Sequence, residues 1–187
     1  MRWRISSVAS LLFLAASVCQ AHPDATANTP AFTSVPELAS GFRLLYIQNF
    51  PEARAAFSAW ESQPPGEPFG HVAVAASYLF EEFYRQGVLT SDFFLNEKRF
   101  LRGIDGQADP QRMQNFQDAI QNARKLARQR LANNPADPEA LYALTLSAGM
   151  ESDAAMILKK QSLEALKRLK ESNVHAKALL AQRPDAN

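Results

Sequence analysis

The chain has 187 residues, 47% apolar and 21% charged, with a formal net charge of +1. It is too apolar for a disordered chain and long enough to bury a core, so one globular domain is the default. The near-balance of charge supplies no field to recruit nucleic acid or anionic lipid.

Arg2 and Arg4 precede an apolar run from Val8 to Val18 centred on Leu11, Leu12, Phe13 and Leu14, and Cys19-Gln20-Ala21 follows. A charged start, a short apolar run and small residues at 19 and 21 have the form of a secretory signal cleaved before His22. The run is about half of the roughly 20 residues a spanning helix needs, so export to periplasm or medium is expected, with no transmembrane segment in the mature chain. A lipid-anchored alternative would acylate Cys19, but Ala16-Ser17-Val18 is a poor lipobox: a small residue usually precedes the cysteine and a larger aliphatic stands three before it. Cleavage after Ala21 removes Arg2, Arg4 and Cys19, leaving 18 of 20 basic residues against 19 acidic ones. With no cysteine left, disulfides and thiol catalysis are excluded.

Residues 22–34 are small, polar and proline-bearing and read as a flexible leader to a helical domain over 35–187. Pro36, with Ser34 as cap, opens a helix to about Gln48; Asn49-Phe50-Pro51 is a turn; a second helix runs to Glu61 and ends in Gln63-Pro64-Pro65-Gly66-Glu67-Pro68. Val72, Ala76, Leu79, Phe80 and Phe83 predict a third helix over 69–86, stopped by Gly87. Thr90-Ser91-Asp92 caps a shorter helix to about Arg102, and Pro110 starts a long one to about Ala132 on Phe116, Ile120, Ala123, Ala127 and Leu131. Asp137-Pro138-Glu139 starts a helix to Gly149. A last helix over 152–182 is expected on Ala155, Leu158, Leu166, Leu169, Ala176 and Leu180, with a break near Asn173. No strand pattern competes, so the fold expected is all-α, about seven helices.

Gly41, Leu44, Ala53, Phe57 and Pro65 carry a more specific signal. Small residues at 41 and 53 let two antiparallel helices approach closely, Leu44 and Phe57 fill the seam, and proline ends the second helix. This segment resembles the tetratricopeptide-repeat family: Gly41, Ala53, Phe57 and Pro65 match its small, small, aromatic and proline positions, Leu44 stands for its tyrosine, and Glu52-Ala53 matches its acidic-alanine pair. Glu37, Ser40 and Trp60 depart from the pattern, and later hairpins keep only Ala123, Pro135 and Pro184. The linkers Leu131–Asp137 and Leu180–Asp185 resemble one another, although their prolines are 49 residues apart against roughly 34 in a standard repeat. The resemblance implies hairpins stacked as a short solenoid: an exported, non-enzymatic scaffold whose concave helices hold a peptide or partner protein.

Sequence motifs for chemistry are nearly absent. His22, His71 and His175 are scattered and lack a completing ligand set, so no metal or cofactor is expected. Asp105 to Asp109 lacks the alternating ligands and closing glutamate of a calcium loop. Glu81 and Glu82 are adjacent and diverge around a helix, so they cannot act as a catalytic pair, and Glu81 with Arg85 reads as a solvated pair. Lys159, Lys160, Lys167, Arg168 and Lys170 read as a solvated face balanced by Glu151, Asp153, Glu164 and Glu171.

Eight aromatics fall between Phe69 and Phe100, more than two helices hide behind one apolar stripe. They pack the core of a small solenoid or, where some stay accessible, form a partner-binding groove with Tyr78, Tyr84, Arg85 and Phe93, or alternatively a carrier site for a small apolar ligand. After the linker at Pro184 only Ala186 and Asn187 follow. The expectation is therefore either the N-terminal part of a longer repeat protein or a chain that self-associates through a face drawn from Ile157, Leu158, Leu166, Leu169 and Leu180, unless the last helix folds back and caps the array itself.

Overall fold

The computed structural model describes residues 36–61 and 67–182. The signal run, Cys19, the leader, Pro65 and the closing linker at Pro184 lie outside the described residues. Among the described residues there are eight α-helices and no strand: α1 (Pro36–Tyr46), α2 (Phe50–Glu61), α3 (Pro68–Arg85), α4 (Ser91–Leu95), α5 (Glu97–Arg102), α6 (Pro110–Asn133), α7 (Pro138–Asp153) and α8 (Ser162–Gln182). The fold is all-α. It has one helix more than expected because 91–102 divides at Asn96, whose extended backbone ends α4 and whose side chain caps α5 by accepting from Arg99 N–H at 3.1 Å.

Three helices open on an acid followed by proline. Glu67 Oε1 accepts from Phe69 N–H at 3.0 Å, Asp109 Oδ1 from Arg112 N–H at 2.7 Å, and Asp137 Oδ1 from Ala140 N–H at 2.9 Å. The carboxylate satisfies an orphan donor and complements the helix dipole, while proline removes a donor that would otherwise go unpaired.

The C-terminal third differs from its expected outline. Helix α7 runs past Gly149 to Asp153 and widens into a π turn, Ala154–Leu158, where Lys159 N–H donates to Ala154 O at 3.2 Å. The chain then breaks at 159–161, with Lys160 at φ 57, and α8 continues unbroken through Asn173. Asparagine inside a helix costs only a fraction of a kcal/mol, too little to end one held by its neighbours. Gly103, at φ 72, fits against the π turn: a Cβ there would stand 2.6 Å from Ile157 O.

Helices α3 and α6 pack along each other through both halves of the core. One half joins Leu79, Phe83, Phe93, Ile104, Phe116, Ile120, Ile157 and Leu158. The other joins Leu38, Ala53, Phe57, Phe69, Val72, Ala123, Ala127 and Leu144 from α1, α2, α3, α6 and α7. In the α1–α2 hairpin, Gly41 lies directly under the Phe57 ring: a Cβ there would come within 2.6 Å of Phe57 Cδ1.

Arginines of α6 tie this core together. Arg112 pairs with Glu82 at 2.5 Å and Glu81 at 3.4 Å on α3, and Arg54 of α2 meets Glu81 at 2.7 Å. Glu81 is thus taken by α2 and α6, and no ion pair with Arg85 forms among the described residues. Arg130 gathers Glu67 at 3.0 Å, Asp137 at 2.9 Å and Glu139 at 2.5 Å. Arg124 is buried, paired with Glu151 of α7 and with Glu171 of α8 at 2.5 Å.

The α7–α8 seam is built from small and polar residues. Ser152 Oγ donates to Ala165 O at 2.9 Å and Ser172 Oγ to Thr145 O at 2.9 Å, with Gly149 beside Ser172. This close seam admits Ala165 and leaves Leu166, Leu169 and Leu180 exposed, whereas Ile157 and Leu158 are buried. Of the expected association face, Leu166, Leu169 and Leu180 thus stay outward while Ile157 and Leu158 pack into the core, and the inner side of α8 is the one that carries Glu171 to Arg124.

Gly41→Ala should lower stability by about 1–3 kcal/mol through overpacking against Phe57, although alanine favours the helix by about 1 kcal/mol. Urea unfolding decides: an unchanged or raised midpoint would mean that the buried Phe57 ring moves aside freely.

Arg124→Ala should cost about 3 kcal/mol, since it leaves the buried Glu151 with Arg168 alone, at 3.6 Å. It should also flatten the acid limb of stability. The hydrogen bond from Arg124 holds the Glu171 carboxyl below its ordinary range, outweighing burial. Its contribution is therefore complete above the unfolded carboxylate range near pH 4 and is lost as pH falls through the lower folded value. Thermal melts of both proteins from neutral pH downward test this; parallel acid limbs would contradict it.

Candidate functional site

Too many large apolar residues meet where α1 ends. Phe42, Leu45 and Tyr46 of α1, Gln48 of the turn, Phe50 of α2, Phe80 of α3 and Leu89 after α3 line a cleft of about 400 Å³. Gln48, at φ 65, turns the chain there: its N–H donates to Leu45 O at 3.0 Å, and Asn49 N–H donates to Leu44 O at 2.9 Å. The turn leaves Tyr46 89% and Ile47 62% exposed.

The floor of the cleft is fixed by ring packing. Phe42 lies 5.0 Å from Phe57 and 6.1 Å from Phe69, Phe50 lies 5.8 Å from Tyr84, and Phe80 lies edge-on to Phe83 at 6.3 Å. Phe50 is thus buried, Phe42 and Phe80 are anchored on core rings with part of each facing outward, and Tyr46 stands out in solvent. The lining carries no formal charge; Gln48 and the Tyr46 hydroxyl are its polar points. Such a surface holds apolar matter and orients it weakly. It brings no acid, base or nucleophile pair together, and no cluster of three metal-ligating side chains occurs among the described residues.

The four sequence-predicted contact residues do not share one site. Phe80 and Tyr84, four apart, lie on the cleft face of α3, and Tyr84 is exposed at its rim against Phe50. Tyr78 and Arg85, seven apart, lie on a different face. Tyr78 is half-buried, with the Arg54 guanidinium 4.6 Å above its ring, while Arg85 is exposed. Phe93 is 1% exposed, its ring 5.3 Å from Phe94 and 5.9 Å from Phe100, so it is a core residue under α4 and not a contact residue. Of the eight aromatics in that stretch, Phe69, Phe83 and Phe93 are buried, whereas Phe80, Tyr84, Phe94 and Phe100 remain exposed.

The residues missed are those of α1 and its turn. Phe42, Leu45, Tyr46, Ile47 and Phe50 within nine positions exceed what one helix stripe can bury, and that excess is the signal that could have found the cleft. No helix among the described residues is long and apolar enough to cross a membrane. No family model, curated protein or solved structure matches the chain.

Proposed function

We propose that this chain is an exported, non-enzymatic helical scaffold of tetratricopeptide-like type that works by protein contact, holding an apolar segment of a partner in the α1–α3 cleft. The observation that carries this reading is the uncharged, ring-lined cleft with Tyr46 and Ile47 standing free at its mouth. Aromatics anchored at their base and exposed at their tip lose little freedom when covered, which is why such residues dominate contact energy. The Gly41–Phe57 seam of the first hairpin supports the family resemblance, and the short apolar run before His22 supports export.

A cleft of about 400 Å³ is also within the range that encloses a small molecule. The second reading is accordingly a carrier of a small apolar ligand.

A photo-reactive amino acid at position 46 separates the two. The expected outcome is one dominant protein cross-link in the exporting cell, reduced more than about tenfold by Leu89→Glu, because a charge in the lining opposes apolar burial. Circular dichroism should be unchanged, as Leu89 is partly exposed. A co-purified apolar molecule in native mass spectrometry, with no protein cross-link, would establish the carrier reading instead. Neither cross-link nor ligand would reject both.

A further inference from the structure

Helix α8 presents a second surface, separate from the cleft. Its outer side repeats at helical spacing: Leu163, Leu166, Lys167, Lys170, Val174 and Lys177, all within about 100° of arc. Leu163 is 86%, Leu166 63% and Val174 60% exposed. Lys159 and Lys160, exposed in the preceding turn, extend the basic row.

The acids that would balance these lysines are spent elsewhere. Glu171 binds Arg124 at 2.5 Å and Arg168 at 3.3 Å, and Glu164 binds Arg168 at 2.8 Å. Glu151 is buried against Arg124. Lys167 reaches Glu164 only at 3.9 Å. Lys159, Lys160, Lys170 and Lys177 form no ion pair among the described residues, not even with Asp153, the exposed acid that ends α7. The sequence-level balance of this segment is thus largely undone by the fold: Glu151 and Glu171 turn toward Arg124, Glu164 is shared by Arg168 and Lys167, and the other lysines stay outward.

We infer that the outer face of α8 docks on the surface of an anionic phospholipid bilayer. A second copy of the chain fits poorly, since a two-fold contact would set unpaired lysines against themselves. On this arc leucines and lysines alternate along a helix ridge with no continuous apolar seam, the exposed Leu169 and Leu180 lying to one side of it, so a protein partner seated here would bury lysines together with leucines. A bilayer interface needs no seam. Each apolar side chain inserts singly at the acyl boundary, and each lysine extends its stem so that the ammonium meets a phosphate.

The test is co-sedimentation of the full chain with vesicles of equal parts phosphatidylglycerol and phosphatidylcholine, against vesicles of phosphatidylcholine alone. Because the apolar run 8–18 is common to all forms, the decisive comparison is between wild type and α8 variants. Wild type should bind the anionic vesicles, and less so as salt is raised. Lys170→Glu with Lys177→Glu should weaken that binding by about thirtyfold or more. Leu163→Ser with Leu166→Ser should weaken it as well, with helix content unchanged in both. Equal binding to neutral vesicles, no binding to anionic ones, or binding indifferent to the lysine changes would overturn the proposal. Binding to soluble polyglutamate but not to vesicles would overturn it too, by assigning the face to an acidic protein.

Discussion

Helix α6 lies in the middle of the molecule and can be packed on several sides only because its buried arginines are matched. Arg112 and Arg130 are eighteen residues apart, five full turns, so both point toward α3 and its N-terminal cap; Arg124 points instead toward α7 and α8. An unmatched buried guanidinium costs several kcal/mol, against about 2 kcal/mol gained by burying a leucine. With α8 rotated to bury Leu166, Glu171 would leave Arg124 and Ala165 would leave the close seam. The charge requirement and the small-residue seam therefore select the same rotation. Such pairs are not strong net stabilisers relative to apolar residues of equal volume, but here they fix which face of α8 meets the core.

Helix boundaries were legible because their signals are local. Asp109-Pro110 and Asp137-Pro138 announce α6 and α7 within two residues, and Gly87 marks the end of α3 by its positive φ. The Gly41–Phe57 seam was legible for the same reason, being set by one hairpin. The rotation of α8 was not. It depends on Arg124, which lies 27 residues from Glu151 and 47 from Glu171, and a leucine stripe read alone does not say which side of α8 meets the core. The break at 159–161 was missed because it follows a π turn packed against Gly103, a contact between segments more than fifty residues apart, whereas Asn173 only lowers intrinsic helix propensity.

The exposure of some aromatics was legible, whereas their grouping on the surface was not. An excess of aromatics correctly implied exposed rings, yet counting them in one stretch missed those contributed by α1. Sequence proximity grouped Tyr78, Tyr84, Arg85 and Phe93, while helix geometry sends them to three environments: a cation–π contact with Arg54, the cleft rim and solvent, and the core. Residues that share a face, not a segment, make a surface.

Net charge hides what the fold does with its charges. A formal total of +1 suggests an electrically bland molecule. The buried and half-buried arginines of α6, however, take up glutamates and aspartates from α3, α7 and α8, which are then not available to lysines elsewhere. On α8 this segregation is visible in Glu171, drawn to Arg124, and in Lys170 and Lys177, which stay outward and form no ion pair among the described residues, while Glu164 at the edge is shared by Arg168 and Lys167. On the α1–α3 cleft the same process has no material to act on, because the lining carries no charge. The same core that holds the helices together thus produces two unlike surfaces, one apolar and concave, the other basic and ridged. They differ in chemistry because the arginines of α6 reach the helix behind one and not the lining of the other.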